Sequence, residues 1–529
     1  MRSLFPPFRF GYSRFLLIPG LLFICGCNST LLDSAGKVTP SPEPTFRVSP
    51  TPFPMDQVRI YFSAEVPPGL KKSITFPEGT QIVEKKENAS VILGTTPKEK
   101  GYSIPVSDWR YVTAAPFPRR SIDPELPCDA LLATQDTASA FFGTSPHAFQ
   151  CGAFLPVESN DLLPTVLSTN DSYALIPFEE LSKTWQLRDD NGYREGGNII
   201  QFSLSGDQEA VDALFMHEDF STPASNFDPQ KLSSVILTGT TALTRGTGRL
   251  MDEKGSLYPA ELIGELLSSA DITHISNEVS FDPSCDLEGS GTKFCSKPQY
   301  FDLLKAIGTD IIELTGNHEL DSGSEPFINT LDLYERNKLP FYGGGRDLPE
   351  AALSVRIETN GNRIAFLGCN SVGPKSNMAK ETSPGSNPCD AERLKSTIEE
   401  LRSEGYNAIV TFQHMEVCQP EPVGPQRGDF QRAADAGATI VSGSQGHCPQ
   451  VMEFRGDTVI HYGLGNLFFD QMNKIERMAF LDRYWFYDNR LIGVEPIAII
   501  RDDEAQPRLM TAAESSWFLE KYLTPVVTP

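Results

Sequence analysis

Five apolar runs between residues 233 and 450 each stop at polar or glycine-rich sequence, and this repetition limits the possible folds more than any other feature of the chain. The runs are 233–243 (SSVILTGTTAL), 271–281 (DITHISNEVSF), 310–323 (DIIELTGNHELDSG), 407–417 (NAIVTFQHMEV) and 438–450 (ATIVSGSQGHCPQ). Short unbroken stretches of Val, Ile and Leu suit strands covered on both faces. Helical stretches lie between several of them. Residues 259–270 carry Leu262, Leu266 and Ala270 at helical spacing, and 392–405 end on Gly405, a capping residue. Buried strands alternating with helices predict an α/β fold, with the polar tips along one rim of a sheet.

Those tips offer Glu278, Asn317, His318, His414, Glu416 and His447. Neutral imidazole and carboxylate suit Zn, Mn or Fe, and two such ions about 4 Å apart activate water and stabilise a phosphoryl transition state. Gly316 is expected to let the backbone turn sharply and aim Asn317 and His318 over the strand end.

The stretch "TGNHELDSG" resembles the "NNHxxDxG" signature of the CapA-type proteins, a capsule and poly-γ-glutamate branch of the calcineurin-like metallophosphatases. Four further segments agree in order. "TGTTALTR" is similar to "GDxxxxR", "ADITHISNE" to "ADxxxxNxE", "VSGSQGHCPQVMEF" to "IGxHPHxxxxxE" and "VIHYGLGNLFFD" to "IxYSLGNFxFD". The resemblance implies a four-layer α/β/β/α metallophosphatase-like sandwich over 232–522. It implies Asn317 and His318 as the metal-binding and phosphate-facing catalytic pair, Glu278 and His447 as further metal ligands, and Gly316, Asp321, Glu416 and Asn466 as residues that shape the site. Several ligand positions are substituted. Thr240 stands at the family's first Asp, Ser276 at its Asn, Phe412 at a His and Gln445 at another. The expectation is therefore one divalent ion (Mn, Zn or Fe) or none, because an ion that loses a carboxylate and imidazoles loses much of its binding free energy. The function implied is synthesis, export or anchoring of an anionic surface polymer, with that polymer or its export machinery as partner. The alternatives are an active metal-dependent phosphoesterase-like hydrolase and a solute-binding receptor.

The receptor alternative comes from 57–227, where short strands and helices alternate without a reactive cluster; this smaller α/β domain weakly resembles periplasmic solute-binding proteins. Ahead of it, 27–56 is rich in Pro, Thr and Ser and reads as an extended tether. Residues 1–26 read as an export signal: Arg2, Arg9 and Arg14 precede the apolar run FLLIPGLLFI, too short for a membrane-spanning helix. The following "ICGC" resembles a bacterial lipobox, which implies lipidation of Cys27 and attachment to the outer face of the cell membrane. With Cys25 and Cys27 set aside, eight of the ten cysteines remain, an even number that suits disulfides in an exported chain. The pairs Cys128–Cys151, Cys285–Cys295 and Cys369–Cys389 each bracket a short polar loop. The formal charge of −24 opposes binding to nucleic acid. The lipid assignment is tested by metabolic labelling: Cys27→Ser is expected to abolish fatty-acid incorporation, and labelling equal to that of the parent refutes lipidation at this residue.

Overall fold

The computed structural model describes residues 53–95, 101–118, 131–134, 137–140, 155–157, 173–187, 192–287, 293–523 and 526–527, with the single positions 162 and 166. The signal, the lipidation at Cys27, most of the tether and the Cys128–Cys151 pair lie outside the described residues. Phe53–Pro529 forms one compact unit. It is a mixed α/β structure with three large sheets.

The first sheet gathers strands from Arg59–Phe62 to Asn198–Gly206, with the long strand Ser103–Pro116 near its middle. The second runs Phe341–Tyr342, Thr309–Glu313, Ile272–Asn277, Leu232–Thr238, Met478–Tyr487, Arg490–Arg501, Pro507–Leu509. Its first four strands are parallel, and the long hairpin that completes it is antiparallel. The third sheet includes Asn362–Asn370, Asn407–Gln413, Ile440–Ser442 and Thr458–His461 in parallel.

All five predicted runs contain strands, but they are divided between the second and third sheets instead of ranging along one rim. The unbroken apolar runs follow from this packing. Val235, Ile272 and Ile311 of the second sheet share a core with Ile364, Ile409 and Ile440 of the third. Their chain neighbours Ile236 and Ile312 point the other way, onto Met251, Leu304, Phe327 and Leu331 of the flanking helices. On the far side of the third sheet, Ala365, Val410 and Val441 pack on Ile398, Leu401, Phe430 and Ala433. A strand covered on both faces has no polar face to alternate with.

The helix expected over 259–270 is broken. A single 3-10 turn, Tyr258–Ala260, precedes the short helix Gly264–Ser268; Leu262 is exposed, and Ile263 and Leu267 are buried. Gly264, a poor helix former, stands at the interruption. The capping reading of Gly405 holds: it follows helix Ala391–Ser403 with φ +81°. Two predicted disulfides are present, Cys285–Cys295 and Cys369–Cys389, with Cα separations of 5.6 and 4.9 Å. A further one joins Cys418 to Cys448, which counting had left unpaired. Among the described residues no helix is long and apolar enough to cross a membrane.

Where the second sheet reaches the site, the chain passes itself closely. A Cβ on Gly239 would lie 1.9 Å from the Gly465 carbonyl oxygen, a contact that only backbone movement relieves. Gly239→Ala is expected to destabilise the protein by about 3 kcal/mol through overpacking. Denaturant unfolding checks this, and a loss below about 0.5 kcal/mol contradicts the close approach.

Candidate functional site

Four loops converge at the carboxyl ends of the strands. Glu278 directly follows strand Ile272–Asn277, and Asn317 and His318 follow Thr309–Glu313. From the third sheet come Glu416, after Asn407–Gln413, and His447, after Ile440–Ser442. Val279 and His318 bridge the first two loops. Gly316 serves a different purpose from the sharp turn expected of it. Its φ is not among the positive values; instead, a Cβ there would come within 2.9 Å of the Glu278 Cα. Glycine allows the Asn317–His318 loop to press against Glu278.

Each imidazole is oriented through Nδ1. His447, in left-handed backbone with φ +47°, has Nδ1 2.8 Å from Asn466 Oδ1. The Asn466 amide is itself fixed, because its Nδ2 donates to Gln471 Oε1 at 3.0 Å and to the Glu476 carbonyl at 3.2 Å. His447 Nε2 then faces Glu278 at 3.6 Å and Glu416 at 3.5 Å. His318 Nδ1 lies 2.6 Å from Asp321 Oδ2, which also accepts from the Phe294 amide at 2.9 Å. Asp321 and Asn466 thus each face the Nδ1 of one imidazole.

Charge follows from this packing. Burial pulls the His447 imidazole down, but the nearby charges of Glu278 and Glu416 outweigh it and hold the group well above its ordinary value. For His318, too, burial is overcome, here by the Asp321 hydrogen bond and the Glu278 charge, and the group is raised. Glu416 is lowered, first by its hydrogen bond to His447 and against burial. Both Glu278 oxygens and Asn317 Oδ1 are buried without a hydrogen-bond donor. Unpartnered buried acceptors beside an imidazole nitrogen fit one cation. Among the described residues, the sole three His, Cys, Asp or Glu ligand atoms within 4.8 Å of one another belong to Cys418, Cys448 and Glu476, and both sulfurs there are already in a disulfide. Glu278, His318 and His447 do not all three lie within that distance of one another.

The other half of the site does not fit an ion. Thr240 Oγ1 donates to the Ser444 carbonyl at 3.3 Å, and Gln445 Nε2 donates to Ser276 Oγ at 2.7 Å. Beneath them Glu313, fully buried, accepts from Ser444 Oγ and, at 2.5 Å, from Thr315 Oγ1; His274 Nε2 lies 3.2 Å away. Burial pushes Glu313 up, but His274 and the two hydroxyls hold it below its ordinary value. This carboxylate is already satisfied. His414 is not at the site: its Nε2 lies 2.9 Å from Asp429, and its Nδ1 accepts from the Met415 amide at 2.8 Å. Phe412 stacks on Phe430 at 4.7 Å under the helices of the third sheet.

Sequence reasoning missed Arg245 and Asp470, which pair directly; Asp470 also accepts from the Gly246 amide at 3.0 Å. The guanidinium lies 4.5 Å over Phe294, whose ring is 4.2 Å from that of His318. The signal was present, since these residues end the first and fifth motifs. Glu313 and His274 were also missed, inside runs read only as strands.

The fold and site define an α/β protein with a histidine–carboxylate centre at the carboxyl ends of its strands. Residues 234–471 match the family described as bacterial capsule synthesis protein PGA_cap. The chain is 24% identical to the PGA biosynthesis protein CapA of Bacillus subtilis (strain 168), over 47% of this chain and 67% of that protein. It is 26% identical to the capsule biosynthesis protein CapA of Bacillus anthracis, over 41% of this chain and 54% of that protein. It therefore spans only part of its relatives' length. The solved structure of TT1561 of Thermus thermophilus aligns at 12% identity over 47% of this chain and 93% of that one, with a TM-score of 0.27, too low to bear on the fold.

The His447 environment predicts its titration. Stability from a group with a raised pKa is present in full below its ordinary value, 6.5, and is lost as pH rises through the folded value. In the metal-free protein the His447 ring is expected to remain protonated at pH 7 by nuclear magnetic resonance. Glu416→Gln is expected to lower its midpoint, since it removes one of the two carboxylate charges that face the ring. A ring neutral at pH 6.5 contradicts the arrangement.

Proposed function

We propose that the protein works at the outer cell surface in the synthesis, export or anchoring of an anionic polymer, capsule or poly-γ-glutamate, through a metal site reduced to at most one ion. The match of 234–471 to the capsule-synthesis family supports the role. The reduction is carried by one observation: in the half of the site containing Thr240, Ser276 and Gln445 the carboxylate, Glu313, is already engaged by Ser444, Thr315 and His274. Two dications side by side repel strongly and need anionic ligands that these positions no longer supply.

The remaining half would hold an ion through Glu278, Asn317, His318 and His447. A single divalent ion supplies Lewis-acid polarisation of a phosphoryl or carbonyl oxygen, without clamping attacking and leaving oxygens together. Asp321 would orient His318, Asn466 would orient His447, and Glu416 would set the charge at the rim. The unpartnered Glu278 and Asn317 oxygens also favour a second reading, a slow metal-dependent hydrolase.

In the same proposal, the two facing sheets with helices outside each form the family's four-layer sandwich, a reading supported by three separate cores. The 57–227 region serves as a solute-binding-like module, and Cys27 carries the lipid. Two measurements test this function. Removing the protein from its host is expected to lower cell-bound anionic polymer, and unchanged polymer contradicts the role. Turnover of a simple phosphodiester by the purified protein with manganese is expected to stay near background; rapid turnover that His318→Ala abolishes overturns the reduced-site reading.

A further inference from the structure

We propose that the disulfide Cys418–Cys448 is the positioning link of the site: it holds Glu416 over His447, so the acidic rim is assembled only in the oxidised protein. The geometry stands by itself, and only the ligand named in the test rests on the one-ion reading above. Cys418 lies two residues after Glu416, and Cys448 directly follows His447. The bond spans 30 residues with a Cα separation of 5.1 Å. It ties together the loops that leave two adjacent strands of the third sheet, Asn407–Gln413 and Ile440–Ser442.

The two ends of the link differ. Cys448 is fully buried beside the left-handed backbone of His447. On the other side, residues 414–418 belong to no helix or strand, and the Glu416 side chain is 46% exposed. That loop is anchored at His414 by Asp429 and at Pro420, whose carbonyl accepts from the Val451 amide at 2.9 Å. Between those anchors the disulfide supplies the covalent hold. Without it the loop regains backbone freedom, against which a half-exposed ion pair contributes little.

Glu476 gives the link a second property. Its carboxylate lies within 4.8 Å of both sulfurs. Reducing a disulfide requires a thiolate to approach and another thiolate to leave, and a neighbouring carboxylate opposes both anions. The exposed Cys418 end is therefore shielded electrostatically from anionic thiols, which makes the bond a lasting clamp.

The test uses the full-length protein with Cys418→Ser and Cys448→Ser together, and Cys369→Ser with Cys389→Ser as control. Hydrogen exchange over 414–419 is expected to accelerate at least about tenfold in the first variant. Manganese affinity by calorimetry is expected to fall about tenfold, the scale seen when support for a ligand is lost. The control should change neither. Unchanged exchange overturns the proposal whatever the metal result. If the parent takes up no manganese, the site falls at the no-ion end of that reading and exchange alone decides the clamp. If the double variant does not fold, Glu476→Gln is used instead. Its bond is expected to be cut several-fold faster by dithiothreitol, with exchange at 414–419 rising as that bond opens, and exchange unmoved by cleavage overturns the clamp.

Discussion

Glu278 is a carboxylate with no exposed surface, and the rest of the site is arranged around the cost of burying it. An isolated buried charge is expensive unless a counter-charge or a cation compensates it. His447 provides the counter-charge at 3.6 Å, and its raised proton affinity is the other side of the same interaction. Gly316 lets the Asn317–His318 loop close over Glu278 from one direction. Asn466 and the left-handed backbone of His447 fix the imidazole from the other. Those contacts draw on loops from both facing sheets, so the site's geometry depends on how the sheets pack.

The two halves of the site solve the same electrostatic problem differently. Around Glu313 the charge is met internally by His274 and two hydroxyls; nearby, Thr240 Oγ1 and Gln445 Nε2 donate to protein oxygens, and the unmet acceptor there, Gln445 Oε1, is a neutral amide oxygen. Around Glu278 the carboxylate and Asn317 oxygens lack donors. A centre able to hold two ions needs unmet acceptors in both halves. Among the site's described residues, this chain retains an unmet carboxylate only on the Glu278 side, within the segment 234–471 that matches the capsule-synthesis family.

Much of this was legible from the sequence because buried strands and glycine-bounded polar tips leave local signatures. The five runs contain strands, and Glu278, Asn317, His318 and His447 do converge. What was not legible depended on partners far along the chain. Nothing local in the third run distinguishes Glu313 from a strand-edge residue; its meaning comes from His274 on another strand and from Ser444 in the turn after Ile440–Ser442. His414 looked like a ligand by proximity to Glu416, but Asp429 on a helix draws it away. Leu262 followed a helical spacing, yet Gly264 interrupts the helix and turns Ile263 inward. The pairing of Cys418 with Cys448 likewise appears only when two neighbouring strands bring their loops together.

The central claim is that only the Glu278 half of the site accepts an ion. Anomalous diffraction from crystals equilibrated with manganese tests it most directly. The account predicts a single peak among Glu278, Asn317, His318 and His447, and density for a second ion beside Thr240, Ser276 and Gln445 would contradict it.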